Sequence, residues 1–243
     1  MIRIIRNIKD FLLYLPLTMV FSPFNKIFIF LYHYNKLIKW VNANKKTIPY
    51  SDFYSPGRTH SKRDKYYDYL SDNLGIVDSQ ICFLEFGVAA GASFNWWLKK
   101  NEHPNSCFFG FDTFEGLPES WNGLYTKGDM AYQMPNINDP RALLSKGLFQ
   151  DTLYPFISQN IPQINNSQKR IIHLDADLYS ATAFVLAAMY PLIKNGDIIM
   201  FDEFNVATSE FKAYFEFINN YYVTLKPIAA ANNFHHVAFE VII

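Results

Sequence analysis

Ile81-Cys-Phe-Leu-Glu-Phe-Gly-Val-Ala-Ala-Gly-Ala-Ser93 is the stretch from which the fold of this chain can be inferred. Its four leading apolar residues predict a strand buried on both faces, as in a parallel sheet. Gly87 and Gly91 bracket a turn with no large side chain before Phe94, so a ligand could approach the backbone where the amides of the following helix point outward. Glu85, near the end of the strand, could accept a hydrogen bond from an ammonium or a hydroxyl group. A single Gly-x-x-x-Gly turn also occurs where nothing binds, so the rest of the chain must decide between the two interpretations.

The composition restricts the classes of protein to consider. The chain has 243 residues, with 22 basic and 22 acidic side chains, so it carries no electrostatic footprint for nucleic acid. Its length is enough for one large core. The two cysteines, Cys82 and Cys107, lie in predicted buried strands and provide neither a zinc site nor a disulfide framework. We therefore expect a cytoplasmic protein in a reducing compartment.

Residues 1–55 form an extension that is apolar in two places. Basic residues precede the apolar segment 11–21 as in a secretory signal, but no small-residue cleavage site follows. Pro16 and Pro23 interrupt the run of apolar residues that a membrane-spanning helix needs. Together with segment 27–40, this pattern predicts two short amphipathic helices that cover the core, build a partner interface or rest on a membrane surface. Packing or an interface is favoured over membrane contact, and we expect a homo-oligomer.

Residues 56–243 have the strand and helix alternation of a doubly wound α/β sheet. After a polar connector at 42–62, helices are predicted at 63–74 and 93–100. A second buried strand, 106–112, ends in Asp112, at the separation from Gly91 where nucleotide-binding sheets place a carboxylate for the ribose hydroxyls. The alternative for Asp112 is a helix cap or turn residue. Residues 119–140 read as a loop and a candidate lid, and residues 141–147 as a short helix or turn.

Two further predicted strands end in acidic pairs. Asp175 and Asp177 follow strand 169–174, and Asp202 and Glu203 follow strand 197–201. The carboxyl ends of parallel strands line one crevice, and so many acids require a cation or protons between them. Oxygen ligands favour Mg²⁺ over zinc. The alternative is that Asp202 and Glu203 cap the helix predicted at 209–219.

The sequence assigns no chemical role to His173, His235 or His236. His173 lies inside a strand and reads as a packed core residue. The tail, residues 222–229 and 234–243, predicts two antiparallel strands. His235 and His236 are expected on opposite faces of the second one. The predicted fold is thus a mostly parallel sheet with an antiparallel strand at its C-terminal end and helices at its N-terminus.

Several blocks of the sequence resemble those of the macrocin-type O-methyltransferases, which include the tylosin, mycinamicin and novobiocin sugar methyltransferases. These are class I enzymes that depend on S-adenosylmethionine. The resemblance covers about residues 60–243 and leaves the extension outside. The matching blocks are Leu84-Glu-Phe-Gly-Val88, Gly110-Phe-Asp-Thr-Phe-Glu-Gly-Leu-Pro118, Gly147-Leu-Phe-Gln-Asp-Thr-Leu153, Asp175-Ala-Asp-Leu-Tyr-Ser180 and Asp202-Glu203.

The resemblance implies a role for each candidate residue of the cofactor site. The methionine end of the cofactor would be held by Glu85, Gly87, Gly91 and Ser93, and its ribose by Asp112. Its adenine would be bordered by the segment from Gly147 to Phe149.

The same resemblance implies the residues of the chemical step. Mg²⁺ would be bound by Asp175, Asp202 and Glu203, with Asp175 also adjoining the cofactor. Asp177 would act as the base beside Asp175. The family usually has two aspartates where this chain has Asp202-Glu203, so a longer side chain occupies the last ligand position.

The implied activity is Mg²⁺-dependent transfer of a methyl group from S-adenosylmethionine to a hydroxyl of a sugar in a glycan, nucleotide sugar or glycosylated natural product. Two alternatives remain open from the sequence. One is transfer to a phenol or catechol, and the other is a non-catalytic S-adenosylmethionine-binding assembly subunit. A binding subunit has no need of four converging carboxylates, which favours an enzyme.

Overall fold

The computed structural model describes residues 1–121 and 123–243, and within them one eight-stranded sheet forms the centre of the chain. The strands are β1 (Tyr50–Ser51), β2 (Ile81–Phe86), β3 (Cys107–Asp112), β4 (Ala142–Lys146), β5 (Lys169–Leu174), β6 (Ile198–Phe201), β7 (Thr224–Ala231) and β8 (His236–Ile242). The helices are α1 (Ile2–Tyr14), α2 (Thr18–Phe21), a 3₁₀ turn (Ser22–Phe24), α3 (Asn25–Asn44), α4 (His60–Asn73), α5 (Ala92–Lys100), α6 (Phe149–Asn166), α7 (Tyr179–Met189) and α8 (Glu210–Tyr221).

The strand order is β1-β7-β8-β6-β5-β2-β3-β4. Neighbouring strands are parallel except β8, which is antiparallel to both β6 and β7. This confirms the predicted doubly wound, mostly parallel sheet and its antiparallel C-terminal strand. The order reverses between β5 and β2, which places the ends of these strands at the crevice where such sheets bind ligands.

The apolar run that opens β2 is buried on both faces of the sheet. Leu84 and Phe86 belong to one core cluster, whereas Phe83 belongs to the cluster on the other side, because successive side chains of a strand point to opposite faces. Phe86 stacks on Phe111 with ring centroids 4.8 Å apart, and Phe83 stacks on Trp97 at 5.7 Å. The apolar residues that open β2 therefore pack against both faces of the sheet, as the sequence indicated.

The structure corrects one element and adds another. Residues 142–146, predicted as a short helix or turn, form the edge strand β4, which pairs with β3. Its side chains are half-buried or exposed, so it lacks the apolar run that marks the central strands. At the opposite edge, Tyr50–Ser51 of the connector pairs with β7. The sheet thus includes residues of the segment assigned to the extension, and the boundary at residue 55 stays a prediction.

The N-terminal segment forms helices, as predicted, but only part of it lies on the core. In α3, His33 and Leu37 are buried, and Trp40 Nε1 donates a hydrogen bond of 3.0 Å to the Tyr214 hydroxyl on α8. α1 has no buried residue. None of the helices within the described ranges is long and apolar enough to cross a membrane.

The predicted lid, residues 119–140, is irregular where it is described, and residue 122 lies outside the described residues. Trp121 Nε1 donates a hydrogen bond of 3.1 Å to Ser209 Oγ, which ties the loop to the start of α8. Pro135 packs close to Gly91, so the loop passes over the glycine turn. Movement of this segment as a lid stays a prediction.

Candidate active site

The glycine turn after β2 brings the ends of three strands into close contact. Gly87 has a φ of +99°, and a Cβ built there would lie 1.7 Å from the carbonyl oxygen of Asp175. The Gly87 amide donates to Phe111 O on β3 at 2.9 Å. Gly91 has a φ of +80° and precedes α5. Only glycine permits this approach of the β2 and β5 ends at Gly87.

Glu85 is fully buried beneath this turn. Its Oε1 accepts a hydrogen bond from Ser93 Oγ and lies 3.4 Å from His173 Nδ1. Its Oε2 has no hydrogen-bond partner among the described residues. A buried carboxylate oxygen without a partner is costly, so this atom is suited to receive a donor from a ligand.

Asp112, at the end of β3, organises the neighbouring backbone. One carboxylate oxygen accepts from the Ala89 amide and the other from the Phe114 amide, each at 2.7 Å. The turn role that the sequence left open is therefore present, and each oxygen retains a lone pair for a ribose hydroxyl.

A cavity of about 510 Å³ opens beside Asp112, and Gly147 is one of its lining residues. The others are Thr113, Glu115, Gly116, Leu117, Pro118, Lys127, Gly128, Lys146 and Leu148. Phe149, the first residue of α6, packs edge-on against Phe86 at 5.4 Å and is not among the lining residues.

The four acids that follow β5 and β6 influence one another's ionisation. Burial and the charge of Asp202 raise the pKa of the Asp175 carboxyl well above its usual range. Burial raises the pKa of Asp177 to about 6, although a hydrogen bond with Glu203 opposes the shift. Burial and the neighbouring Asp177 raise the pKa of Glu203 to about 10. At neutral pH, the Glu203 carboxyl is therefore protonated.

Asp202 differs from the other three because two imidazoles surround it. Its Oδ1 lies 2.8 Å from His236 Nδ1 and 3.6 Å from His173 Nε2. Burial alone would raise the pKa of Asp202, but His236 and His173 lower it well below its usual range. Burial likewise opposes protonation of His173, yet Asp202 and Glu85 raise its pKa to about 10.

The histidines correct the sequence interpretation. His173 is buried, as expected of a core residue, but it bridges Glu85 and Asp202 rather than packing only against apolar groups. His235 and His236 do not lie on opposite faces of a strand, because β8 begins at His236 and His235 belongs to the preceding turn. His235 Nε2 lies 4.0 Å from Glu203 Oε1, so both imidazoles lie beside the acids.

Glu210 is a fifth acid that the sequence did not single out. It is fully buried in the first turn of α8, and its Oε2 accepts from the Glu203 amide at 2.8 Å. Burial raises the pKa of Glu210 well above its usual range. The residue preceding α8 is Ser209, so Asp202 and Glu203 do not cap that helix and this alternative is wrong. A buried glutamate inside a predicted helix gives no signal in the sequence.

A second cavity, of about 290 Å³, lies on the β8 side of Asp202. Its walls are polar and include two arginines: Arg58, Thr59, His60, Arg63, Asn232, His235 and His236 line it together with Asp202. Arg63 Nε is buried without a hydrogen-bond partner among the described residues. The cavity therefore offers several hydrogen-bond donors beside the acids.

The chemistry of the acids suits a hard cation, but their side chains are not arranged as a complete metal site. Within residues 1–121 and 123–243, no group of three or more His, Cys, Asp or Glu side chains is arranged to hold a metal ion. However, Glu203 Oε2 and Glu210 Oε1 are buried without hydrogen-bond partners among the described residues, and burial together with neighbouring negative charge raises the pKa values of Asp175 and Glu203. Oxygen donors with uncompensated charge are what Mg²⁺ prefers.

The fold and site together define the class of the protein. A doubly wound sheet with an acid and a glycine turn at its central strand, and acids after the next strands, is the arrangement of class I S-adenosylmethionine-dependent methyltransferases. The sequence profile of the macrocin O-methyltransferase family (TylF) matches residues 78–234. The chain belongs to this family and is an S-adenosylmethionine-dependent O-methyltransferase.

Several solved structures are similar to this chain in fold. The calicheamicin methyltransferase CalS11 is 19% identical, with a TM-score of 0.58 over 86% of this chain and 91% of that chain. The apo structure of CalS11, a TDP-rhamnose 3'-O-methyltransferase of calicheamicin biosynthesis, is 18% identical, with a TM-score of 0.53 over 86% and 93%. The O-methyltransferase NovP is 17% identical, with a TM-score of 0.49 over 74% and 79%. At these identities the likeness concerns the fold alone. No curated protein matches the chain in sequence.

Proposed function

We propose that this chain transfers the methyl group of S-adenosylmethionine to a hydroxyl of a sugar, with Mg²⁺ as a cofactor. The observation that carries the proposal is the convergence of buried acids at the ends of β5 and β6, where the Asp202 amide donates to Leu174 O at 2.9 Å, next to Asp175. Burial and mutual repulsion raise the pKa values of Asp175, Asp177 and Glu203. A proton acceptor within a group of cation-seeking carboxylates suits deprotonation of an alcohol. Family membership supports methyl transfer to oxygen, and CalS11 is a TDP-rhamnose 3'-O-methyltransferase.

The cofactor would lie across the glycine turn. The free Oε2 of Glu85 would accept a hydrogen bond from the methionine ammonium, while Ser93 orients the other oxygen. Gly87 and Gly91 keep side chains away from the ligand. Asp112, held by two amides, would bind the ribose hydroxyls.

The adenine would occupy the cavity at Gly147, whose position next to Asp112 matches the order of groups in the cofactor. Phe149 would support this site from behind, because it follows Leu148 of the cavity wall and its ring packs against Phe86. Asp175, whose carbonyl approaches Gly87, would lie between the cofactor and the acids.

Asp175, Asp202 and Glu203 would hold Mg²⁺. When bound, this cation supplies a Lewis acid that lowers the pKa of the acceptor hydroxyl. Asp202 can contribute its Oδ2, because His236 lies against Oδ1. Asp177 accepts the hydroxyl proton at its carboxylate, which a pKa of about 6 leaves mostly ionised at neutral pH. The protein aligns the sugar oxygen with the methyl carbon and sulfur and excludes water.

The polar cavity beside Asp202 favours a sugar over a phenol or catechol. Arg58, His60, Arg63 and Asn232 present hydrogen-bond donors there. Such donors match the hydroxyls of a sugar, whereas a catechol ring requires apolar or aromatic walls. Transfer to a phenol or catechol is the second candidate function, and assays with both sugars and catechols distinguish the two.

The test uses the purified full chain with S-adenosylmethionine and Mg²⁺ against nucleotide-linked sugars, free glycans and catechols, with mass spectrometry of the products. We expect methylated sugar and none with EDTA present. Methylated catechol without methylated sugar would contradict the acceptor class, and full activity in EDTA would contradict the role of the metal.

Asp177→Asn tests the base. We expect turnover to fall by about 10²- to 10⁴-fold while S-adenosylmethionine binding by calorimetry stays unchanged. Asp72→Asn is the matched control, because Asp72 is exposed, lies 3.5 Å from Lys100 in a surface ion pair and accepts a hydrogen bond from Ser71 Oγ at 3.2 Å. Undiminished turnover of Asp177→Asn would remove this residue from the mechanism.

A further inference from the structure

α1 presents an apolar face that nothing in the described structure covers. Ile4, Ile5, Ile8, Phe11 and Leu12 recur at i, i+1, i+4, i+7 and i+8, which places them on one side of the helix. These five side chains are between 44% and 65% exposed. A contiguous apolar surface of this kind marks a site of interaction.

The first two turns of α3 extend this apolar surface. Residues 27–32, Ile-Phe-Ile-Phe-Leu-Tyr, are apolar or aromatic all round the helix, and each is between 46% and 54% exposed. The second half of the same helix is held on the core through Leu37 and Trp40. The exposed half is therefore attached firmly to the catalytic sheet.

The charge of this segment identifies the partner. Residues 1–40 contain six lysines and arginines and one acid, Asp10, whereas the remaining residues contain sixteen basic and twenty-one acidic side chains. Arg3, Arg6 and Lys9 are exposed alongside the apolar face of α1. Basic residues beside an apolar helix face fit anionic lipid headgroups above acyl chains. A second copy would instead bring the same positive charge against itself.

The active site lies next to this surface. A cavity of about 850 Å³ is bounded on one side by Lys26, Ile29, Phe30 and Tyr34 of α3. Its other side includes residues 205–208, which begin two positions after Glu203. An acceptor entering from a bilayer at α3 would therefore arrive beside the acids.

We propose that residues 1–40 bind the surface of an anionic phospholipid bilayer, and that the sugar acceptor is carried on a lipid of that bilayer. The lipid-carried acceptor rests on the proposed sugar O-methyltransferase activity, whereas the membrane binding does not. The segment lies on the membrane rather than across it, since its helices are too short or too polar to span.

Membrane binding is tested by cosedimentation of the full chain with phosphatidylcholine vesicles that contain or lack phosphatidylglycerol. We expect binding to the anionic vesicles that weakens with added salt. Ile8→Glu should reduce the partition coefficient by about tenfold or more, because it removes from the apolar face an isoleucine that the bilayer would bury. Asn7→Glu, on the polar face of the same helix, introduces the same charge and should retain most binding.

The outcomes of this test are distinct. Failure of the wild-type chain to bind anionic vesicles, or equal loss in both variants, overturns the proposal. A dimer on size exclusion that Ile8→Glu dissociates, without vesicle binding, would show that a second copy covers the surface and also overturns it. Both substitutions fall on exposed residues of a helix without buried side chains, so unchanged melting temperatures verify the fold.

The acceptor is tested by comparing a polyprenyl-diphosphate-linked hexose in anionic vesicles with the same hexose on a nucleoside diphosphate. We expect at least about tenfold higher kcat/KM for the vesicle acceptor, a preference that Ile8→Glu removes without changing the rate on the soluble one. Equal rates on both acceptors would overturn the lipid assignment alone. Vesicle binding without transfer to any sugar would instead overturn the proposed function.

Discussion

Binding of Mg²⁺ at the acids should release protons, and one of them should come from Glu203. Burial, Asp177 and Glu210 raise the pKa of Glu203 to about 10, so the carboxyl is neutral at neutral pH. A metal ligand must be ionised. Because a shift of one pKa unit corresponds to about 1.4 kcal/mol, ionising Glu203 near pH 7.5 costs about 3 kcal/mol, and the apparent affinity for Mg²⁺ should rise about tenfold per pH unit.

The same pKa determines the sign of the pH dependence of stability. The pKa of Glu203 is raised from 4.5 to about 10, so between these values the folded metal-free protein retains a proton that the unfolded chain has lost. His173, raised from 6.5 to about 10, acts in the same direction over its own window. Stability of the metal-free protein should therefore fall as the pH rises, and Mg²⁺ should raise the melting temperature more at alkaline pH.

The assay is titration calorimetry with Mg²⁺ in buffers of different ionisation enthalpy, near pH 7.5 and 8.5. The dependence of the observed heat on the buffer gives the number of protons released. Glu203→Gln should lower that release by about one proton, and Glu102→Gln, which changes an exposed acid outside the site, should not. An affinity independent of pH, or a release undiminished in Glu203→Gln, would refute the role of Glu203.

Two further predictions concern the scaffold of the site. Gly87→Ala should lower the melting temperature and abolish cofactor binding, because its Cβ would meet the Asp175 carbonyl. Gly57→Ala is the control, because Gly57 has a φ of +71° and no atom within 4 Å of a built Cβ, so only the backbone cost remains. Equal stability of the two variants would contradict the close packing at Gly87. Arg170→Met should lower the free energy of unfolding in urea by about 3–5 kcal/mol, because it leaves Asp197 buried without its partner at 2.6 Å. A change below about 1 kcal/mol would place this pair with ordinary surface ion pairs.

The sequence predicted those parts of the fold for which a single local pattern of residues is enough to identify the element. The apolar run of β2 and the glycine turn predicted a central parallel strand, and the acids at successive strand ends were expected in one crevice. β4 was missed because an edge strand is half-exposed and needs no apolar run. Its pairing with β3 is a tertiary contact that residues 142–146 do not reveal by themselves.

The electrostatic partners within the site could not be predicted for a similar reason. Glu85 and His173 are register partners across β2 and β5, a relation fixed by the pairing of strands far apart in sequence. Glu210 reaches the Glu203 amide only because α8 begins where the loop after β6 turns back. The positions of acids along the chain predicted that they would meet, but not which groups would neutralise them.

These partners explain how several carboxylates can be buried at the site without a large loss of stability. Contacts run without a break from Ser93 to Glu85, from Glu85 to His173 at 3.4 Å, from His173 to Asp202 at 3.6 Å and from Asp202 to His236 at 2.8 Å. A buried carboxylate requires a compensating charge, and His173 supplies one to Glu85 on the cofactor side and to Asp202 on the acidic side. The protonated His173 imidazole therefore lies between a carboxylate of the cofactor half and a carboxylate of the acidic half of the site.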